Sequence, residues 1–263
     1  ILDILVMKTA YRLHQDLMMS SKIFIGLLSC LFFKFGFTQE KKDSLVLRLN
    51  LKFKNESLVR NKKYISESKD TLEIEVLRFY ISNIKFQYSD ATFFSEPNSY
   101  HLIDIENPNS LQIPIAKTSD KAITKVTFSI GIDSLASVSG AMSGDLDPTK
   151  GMYWAWQSGF INMKIEGNSS SCKTRKNAFQ FHIGGYMKPN YAIRTIELKP
   201  INSNLEINVD VAELFKDIKL SENNSIMIPG SKAMELADKT VGMFNICLLY
   251  TSPSPRDRQK SRM

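Results

Sequence analysis

The sequence predicts an all-β protein, an antiparallel β-sandwich or partly closed barrel with long loops and one or two short helices. Three observations carry that prediction. Apolar residues recur at a period of two in segment after segment, turn-forming residues separate those segments, and only two stretches carry a helical pattern. In the first segment Leu45, Leu47, Leu49, Leu51 and Phe53 alternate with Val46, Arg48, Asn50, Lys52 and Lys54, which marks a half-buried strand. The alternation returns in Leu72 to Tyr88, Val126 to Ile130, Phe160 to Glu166, Phe179 to Ile183, Ile193 to Leu198 and Leu205 to Val211. Turn signals such as Asn107-Pro108-Asn109, Asp147-Pro148 and Lys188-Pro189-Asn190 lie between them. The helical stretches are Ala212 to Leu220 and Lys232 to Asn245, the second following Pro229-Gly230 with Ser231 placed as its N-cap. Two loops, 89–101 and 131–152, are long and rich in Ser, Gly, Asp and Asn, the kind of loop that carries sites on β scaffolds.

The ends of the chain depart from this pattern. Residues 1 to 17 resemble upstream sequence translated in frame. From Met18 or Met19 the layout is that of a secretory signal: Lys22, the apolar run Ile23 to Phe33, then Gly36-Phe37-Thr38 before Gln39. That run is short of the roughly twenty apolar residues a membrane span needs, so no transmembrane anchor is expected once the signal is removed. From Cys247 to Met263 apolar periodicity stops, and the residues can be back-translated to sequencing-library adapter. The expected organisation is therefore an upstream piece and signal over 1–38, one β-rich domain over 39–246 continuing past Ile246 in the natural protein, and an extraneous, unstructured tail over 247–263.

These assignments redistribute the charge. Of the formal +7, the tail carries +3 and the first 38 residues +2, which leaves +2 on the body. The basic character thus lies outside the domain, and a nucleic-acid partner is not expected. Cys172 is the one cysteine of the body, so there is no disulfide framework. The roughly 208 residues of the body suffice for one sizeable core.

Catalytic signatures are missing: no G-x-S-x-G elbow, no phosphate-binding glycine loop, no H-E-x-x-H and no C-x-x-C. Asp145 and Asp147 are paired loop carboxylates of the kind that cap turns. The chain is therefore expected not to be an enzyme. Its most informative segment is Gly151 to Phe160, which holds both tryptophans, Trp154 and Trp156, followed by Phe181-His182-Ile183-Gly184-Gly185-Tyr186. On an extended chain Trp154 and Trp156 project to one face, with Met152 aligned and Tyr153 opposite. They can be core anchors or, exposed, a stacking platform. His182 has the facing opposite to Phe181 and Ile183, and the glycines after it permit a close approach by backbone or ligand. A lone histidine so placed is a hydrogen-bonded structural residue or a copper or zinc ligand.

The run Gly151 to Gly167 with Phe179 to Tyr186 resembles the MbnP family of exported copper-binding proteins. Supporting matches are Phe79 to Ile84, Tyr100 to Asp104, Ile130 to Asp133, Gly144 to Pro148 and Pro229 to Asp238, and the similarity covers nearly all of 45–246. The resemblance implies a β-rich periplasmic, envelope or secreted protein that holds copper through imidazole and a tryptophan oxidised to kynurenine. The implied partner is a di-haem enzyme of the MauG type that performs the oxidation. Carried over by residue, His182 matches the histidine of F-H-I-G-G, and Trp154 or Trp156 the modifiable tryptophan. The match stops there: Leu49 to Asn55 in the first strand has no histidine, and His101 lies in another segment. The alternative is an envelope binding or structural module of the same fold, without metal, in which the tryptophan pair is core.

Overall fold

The computed structural model describes residues 44–116, 119–140, 142–156, 159–200 and 205–246. The expectations for 1–38 and 247–263 fall outside the described residues. Fourteen strands are described. The first eight are β1 (Ser44–Phe53), β2 (Glu56–Ser57), β3 (Lys63–Ile65), β4 (Thr71–Tyr88), β5 (Phe93–Ser95), β6 (Tyr100–Asp104), β7 (Gln112–Ala116) and β8 (Ile123–Ile130). The remainder are β9 (Ile161–Ser169), β10 (Ala178–Gly184), β11 (Arg194–Leu198), β12 (Glu206–Asp210), β13 (Ser225–Ile226) and β14 (Phe244–Ile246). The described α-helices are α1 (Ser134–Ser139) and α2 (Ser231–Thr240).

The fold is mostly β, as the alternation predicts. One sheet runs β14-β12-β1-β2, with β7 also paired to β1; the larger runs β11-β8-β4-β9-β10-β13, with β3, β5 and β6 also paired to β4. Most pairs are antiparallel. β1 with β12 and β10 with β13 are parallel exceptions within the mostly antiparallel sheets expected. A period of two says which residues share a face and nothing about which strand lies alongside, so these crossings have no sequence signal.

The main core lies between the sheets. Leu47, Leu49, Leu51 and Phe53 of β1 meet Leu77, Phe79 and Ile81 of β4, Met163 and Ile165 of β9, and Phe181 and Ile183 of β10. The eighteen-residue β4 reaches this core in three phases, Leu72 and Ile74, then Leu77 to Ile81, then Ile84 to Tyr88, because its register shifts near Ile74/Val76 and Ser82/Lys85. Each bulge adds one residue and flips the inward parity, so a long strand curls without losing its apolar face.

Helix differs in detail from expectation. Ala212 to Leu220 forms no α-helix; a short 3-10 turn at Val211–Glu213 leads into turns, and Val211, Leu214 and Phe215 are all buried. Burial of consecutive residues suits a packed turn better than a one-faced helix. The second helix begins at Ser231 with Gly230 before it. It ends at Thr240, and Phe244–Ile246 is instead a strand on β12. α1 lies in the loop 131–152, outside the two stretches that carry a helical pattern. Leu135 and Val138 on it are exposed, so no apolar stripe announces it.

Candidate functional site

Four residues in a row on β4, Phe79, Tyr80, Ile81 and Ser82, are fully buried, so this stretch is covered on both faces. The cover on the outer face is the loop between β8 and β9. Its residues Ile132, Ala136, Leu146, Met152, Trp154 and Phe160 form a second, smaller core with Tyr80, Leu102 and Ile161. Polar contacts pin the loop to the sheet. The Tyr80 hydroxyl donates to the Asp145 carbonyl at 3.0 Å, and the Leu102 N–H donates to Asp145 Oδ2 at 3.0 Å. The Tyr100 hydroxyl donates to Asp133 Oδ2 at 2.6 Å. Burial, then the neighbouring Asp145 and Asp147 charges, raise the Tyr80 pKa well above the tyrosine range, while burial and the Asp133 contact push Tyr100 up to about 12. Asp145 and Asp147 behave as the loop pattern predicts: Asp147 Oδ1 accepts from the Thr149 N–H at 2.8 Å, and Asp145 pairs with Lys150 at 2.6 Å.

Within this cover the tryptophans part. The Trp154 N–H donates to the Gly159 carbonyl at 2.9 Å and the Ile161 N–H to the Met152 carbonyl at 2.8 Å, so the segment doubles back. The chain turns at Ala155–Trp156, which ends the extended geometry that would have kept both rings on one face. Trp154 is 6% exposed and Trp156 63%, with ring centroids 6.2 Å apart. The reason for the glycines after His182 is now physical. A Cβ on Gly184 would stand 2.7 Å from the Trp154 ring, and one on Gly185, at φ +142°, would stand 2.2 Å from the Asn190 carbonyl oxygen. Beside them Trp154, Tyr186, Met187, Asn190 and Pro229 line a cleft of about 200 Å³.

His182 lies two residues before Gly184 on the same face of β10. Across the strands it heads a polar row: His182 is opposite Lys164, Lys164 opposite Arg78, and Arg78 opposite Asp104. Arg78 Nε donates to Asp104 Oδ2 at 2.8 Å. The His182 ring is nearly buried, with Nε2 2.6 Å from Glu166 Oε1, and Lys164 Nζ is 3.6 Å from the same oxygen. The bond to His182 lowers the Glu166 pKa against the opposing effect of burial, with Lys164 assisting. No hydrogen bond to Nδ1 occurs among the described residues. Sequence pattern missed Glu166 and Lys164, because pairing them with His182 needs the β9–β10 register.

His101 is not part of this group. It stands opposite Ile81, a main-core residue, on the inward-facing parity of β6, and its Nε2 is 2.8 Å from Glu96 Oε2. The two histidines thus occupy opposite faces of the large sheet. No group of three or more His, Cys, Asp or Glu converges among the described residues. The donor set at His182 is one imidazole with a carboxylate behind it, and a nitrogen-ligated copper ion needs further donors. The described residues thus hold one imidazole with its carboxylate and no converging ligand set.

A sequence profile of the MbnP family matches residues 42–228. Among solved structures, MbnP from Methylosinus trichosporium superposes with a TM-score of 0.53 at 12% identity, over 66% of this chain and 77% of that one. At that identity the likeness speaks for the fold. No curated protein matches the chain.

Proposed function

The chain belongs to the MbnP family, and from that premise we propose that it is an exported copper-binding protein in which His182 supplies an imidazole ligand and the tryptophan pair the oxidisable aromatic group. The observation that carries this reading is the His182–Glu166 bond on the outer face. Metal-ligating histidines characteristically give one ring nitrogen to a carboxylate, which fixes tautomer and ring orientation and raises the basicity of the other. Here Nε2 is held and Nδ1 is the nitrogen left for a metal. Trp154 lies against Gly184, about 7 Å along the strand from His182 at the usual rise per residue. Intact indole nitrogen is only a donor. Oxidation to kynurenine, with net gain of one oxygen and loss of one carbon, exposes an aromatic amine able to ligate.

A di-haem enzyme of the MauG type is the partner this reading implies, and Trp156 is the ring it would meet first because it is the exposed one. The protein then sequesters or hands over copper and is not itself a catalyst. Export to the periplasm, the envelope or the medium accords with the signal-like segment before Gln39. No helix among the described residues is long and apolar enough to cross a membrane. The near-neutral body gives no reason for a nucleic-acid partner.

The second reading, a metal-free module, is favoured by one specific observation: Trp154 is packed as a core residue. Protein purified from its native host separates the two. The copper reading expects bound copper and one tryptophan converted to kynurenine. Unmodified tryptophans in a copper-free protein would establish the metal-free module.

A further inference from the structure

Just past the end of β10, Gly185 brings two distant segments together. A Cβ there would stand 2.2 Å from the Asn190 carbonyl oxygen and 3.3 Å from the Pro229 Cβ. With no side chain between them, both segments border the cleft of about 200 Å³, whose lining Trp154, Tyr186, Met187 and Lys188 complete. Its borders are tied in place. The Ala192 N–H donates to the Gly185 carbonyl at 2.9 Å, the Asn190 N–H to the Met187 carbonyl at 2.8 Å, and the Ser134 hydroxyl to the Tyr186 carbonyl at 2.9 Å. A cleft bounded by fixed backbone exists before any ligand arrives, so little ordering opposes binding.

The chemistry of the lining is one-sided. Trp154, Tyr186, Met187 and Pro229 supply aromatic and apolar surface, and Met187 is 61% exposed, so its thioether is not core filling. Lys188 and Asn190 supply the polar side chains, and no acidic side chain lines the cleft. Neither the Lys188 ammonium nor the Asn190 carboxamide makes a hydrogen bond or ion pair among the described residues, and both can donate. The volume is below the roughly 300–1,000 Å³ that holds a drug-sized ligand, which suits a single ring. We propose that the cleft binds a small aromatic carboxylate, its ring against Trp154 and Met187 and its anionic group at Lys188 and Asn190. A saccharide fits this lining worse, because its many hydroxyls need more polar partners than two side chains provide. The site needs no metal and is independent of the copper reading above.

The test is isothermal titration of the purified, copper-free protein with phenylacetate, cyclohexylacetate and benzylamine, repeated on Lys188→Glu, with Trp154 emission followed in a Trp156→Phe background. Phenylacetate should saturate at about one per chain and change the Trp154 emission. Cyclohexylacetate should bind about two- to tenfold more weakly, for want of the aromatic contact, and benzylamine more weakly still. Lys188→Glu should weaken phenylacetate by at least about fivefold and strengthen benzylamine. Position 188 is exposed, so this variant should keep the parental urea midpoint. No saturable phenylacetate uptake by the parent, saturation that leaves Trp154 emission unchanged, or affinity indifferent to Lys188→Glu overturns the proposal. Cyclohexylacetate binding as tightly as phenylacetate overturns the aromatic assignment. None of these outcomes bears on copper at His182.

Discussion

Gly184→Ala should disturb the tryptophan site by steric means alone. The added Cβ would stand 2.7 Å from Cη2 and Cζ3 of Trp154 and 2.8 Å from the Phe160 carbonyl oxygen, against ordinary carbon contacts of about 3.5–4.0 Å. Roughly 1 Å of relief is needed on two sides. One side is backbone at the start of β9; the other is an indole held in the small core by Met152 and Phe160. Overpacking of this kind costs about 1–3 kcal/mol. Alanine narrows the unfolded ensemble and returns about 0.4–1 kcal/mol of that, so the net loss should be about 1–2 kcal/mol. For a domain of this size each kcal/mol moves the melting temperature roughly 2–4 °C. Urea unfolding and intrinsic fluorescence in a Trp156→Phe background, where Trp154 is the one remaining indole, provide the assay. The emission should shift to the red as Trp154 is pushed toward solvent, and Trp154→Leu should suppress much of the added cost of Gly184→Ala. Unchanged stability with unchanged emission would refute the packing of Trp154 on Gly184.

The tryptophans should differ sharply under truncation: Trp154→Ala should cost about 3–5 kcal/mol in chemical unfolding, and Trp156→Ala, at an exposed position, about 0.5 kcal/mol or less. Glu166→Gln should change the acid limb of the stability profile. The folded Glu166 pKa is lowered, so its contribution is complete above the ordinary carboxylate value near 4.3 and is lost as pH falls through the lower folded value; the gap between parent and variant should shrink as pH falls below about 4.3. Tyrosinate absorbance in the folded protein should show Tyr80 and Tyr100 still neutral at pH 11, with both ionising normally once denaturant unfolds the chain. Ionisation of all tyrosines near pH 10 while folded would contradict the burial of Tyr80 beneath the loop.

The strands were legible because apolar alternation is a local consequence of having one face on a core, as Leu47 to Phe53 illustrate. Element ends were less so. Asn245 reads as helix by composition, yet Phe244–Ile246 finds a better place as a strand on β12, a choice made by tertiary pairing. The facing of His182 followed from its parity with Phe181 and Ile183, and the site glycines were visible as permission for close approach. What approaches was not visible: the Trp154 ring at Gly184 and the Asn190 carbonyl at Gly185 come from distant segments. Glu166 stayed hidden for the same reason, since it reaches His182 only through strand register. The different fates of Trp154 and Trp156 depended on a turn at Ala155–Trp156, closed by Gly159 at φ +146°, whose course periodicity does not reveal.

The central claim, that His182 is the imidazole ligand of a copper site, is tested most directly by equilibrium dialysis of the parent protein and His182→Ala against copper, with metal content and folding measured on the same samples. The account predicts about one copper per chain in the parent and none above background in a variant that keeps its β-rich circular dichroism. Equal copper in both, or a parent that retains none, contradicts it.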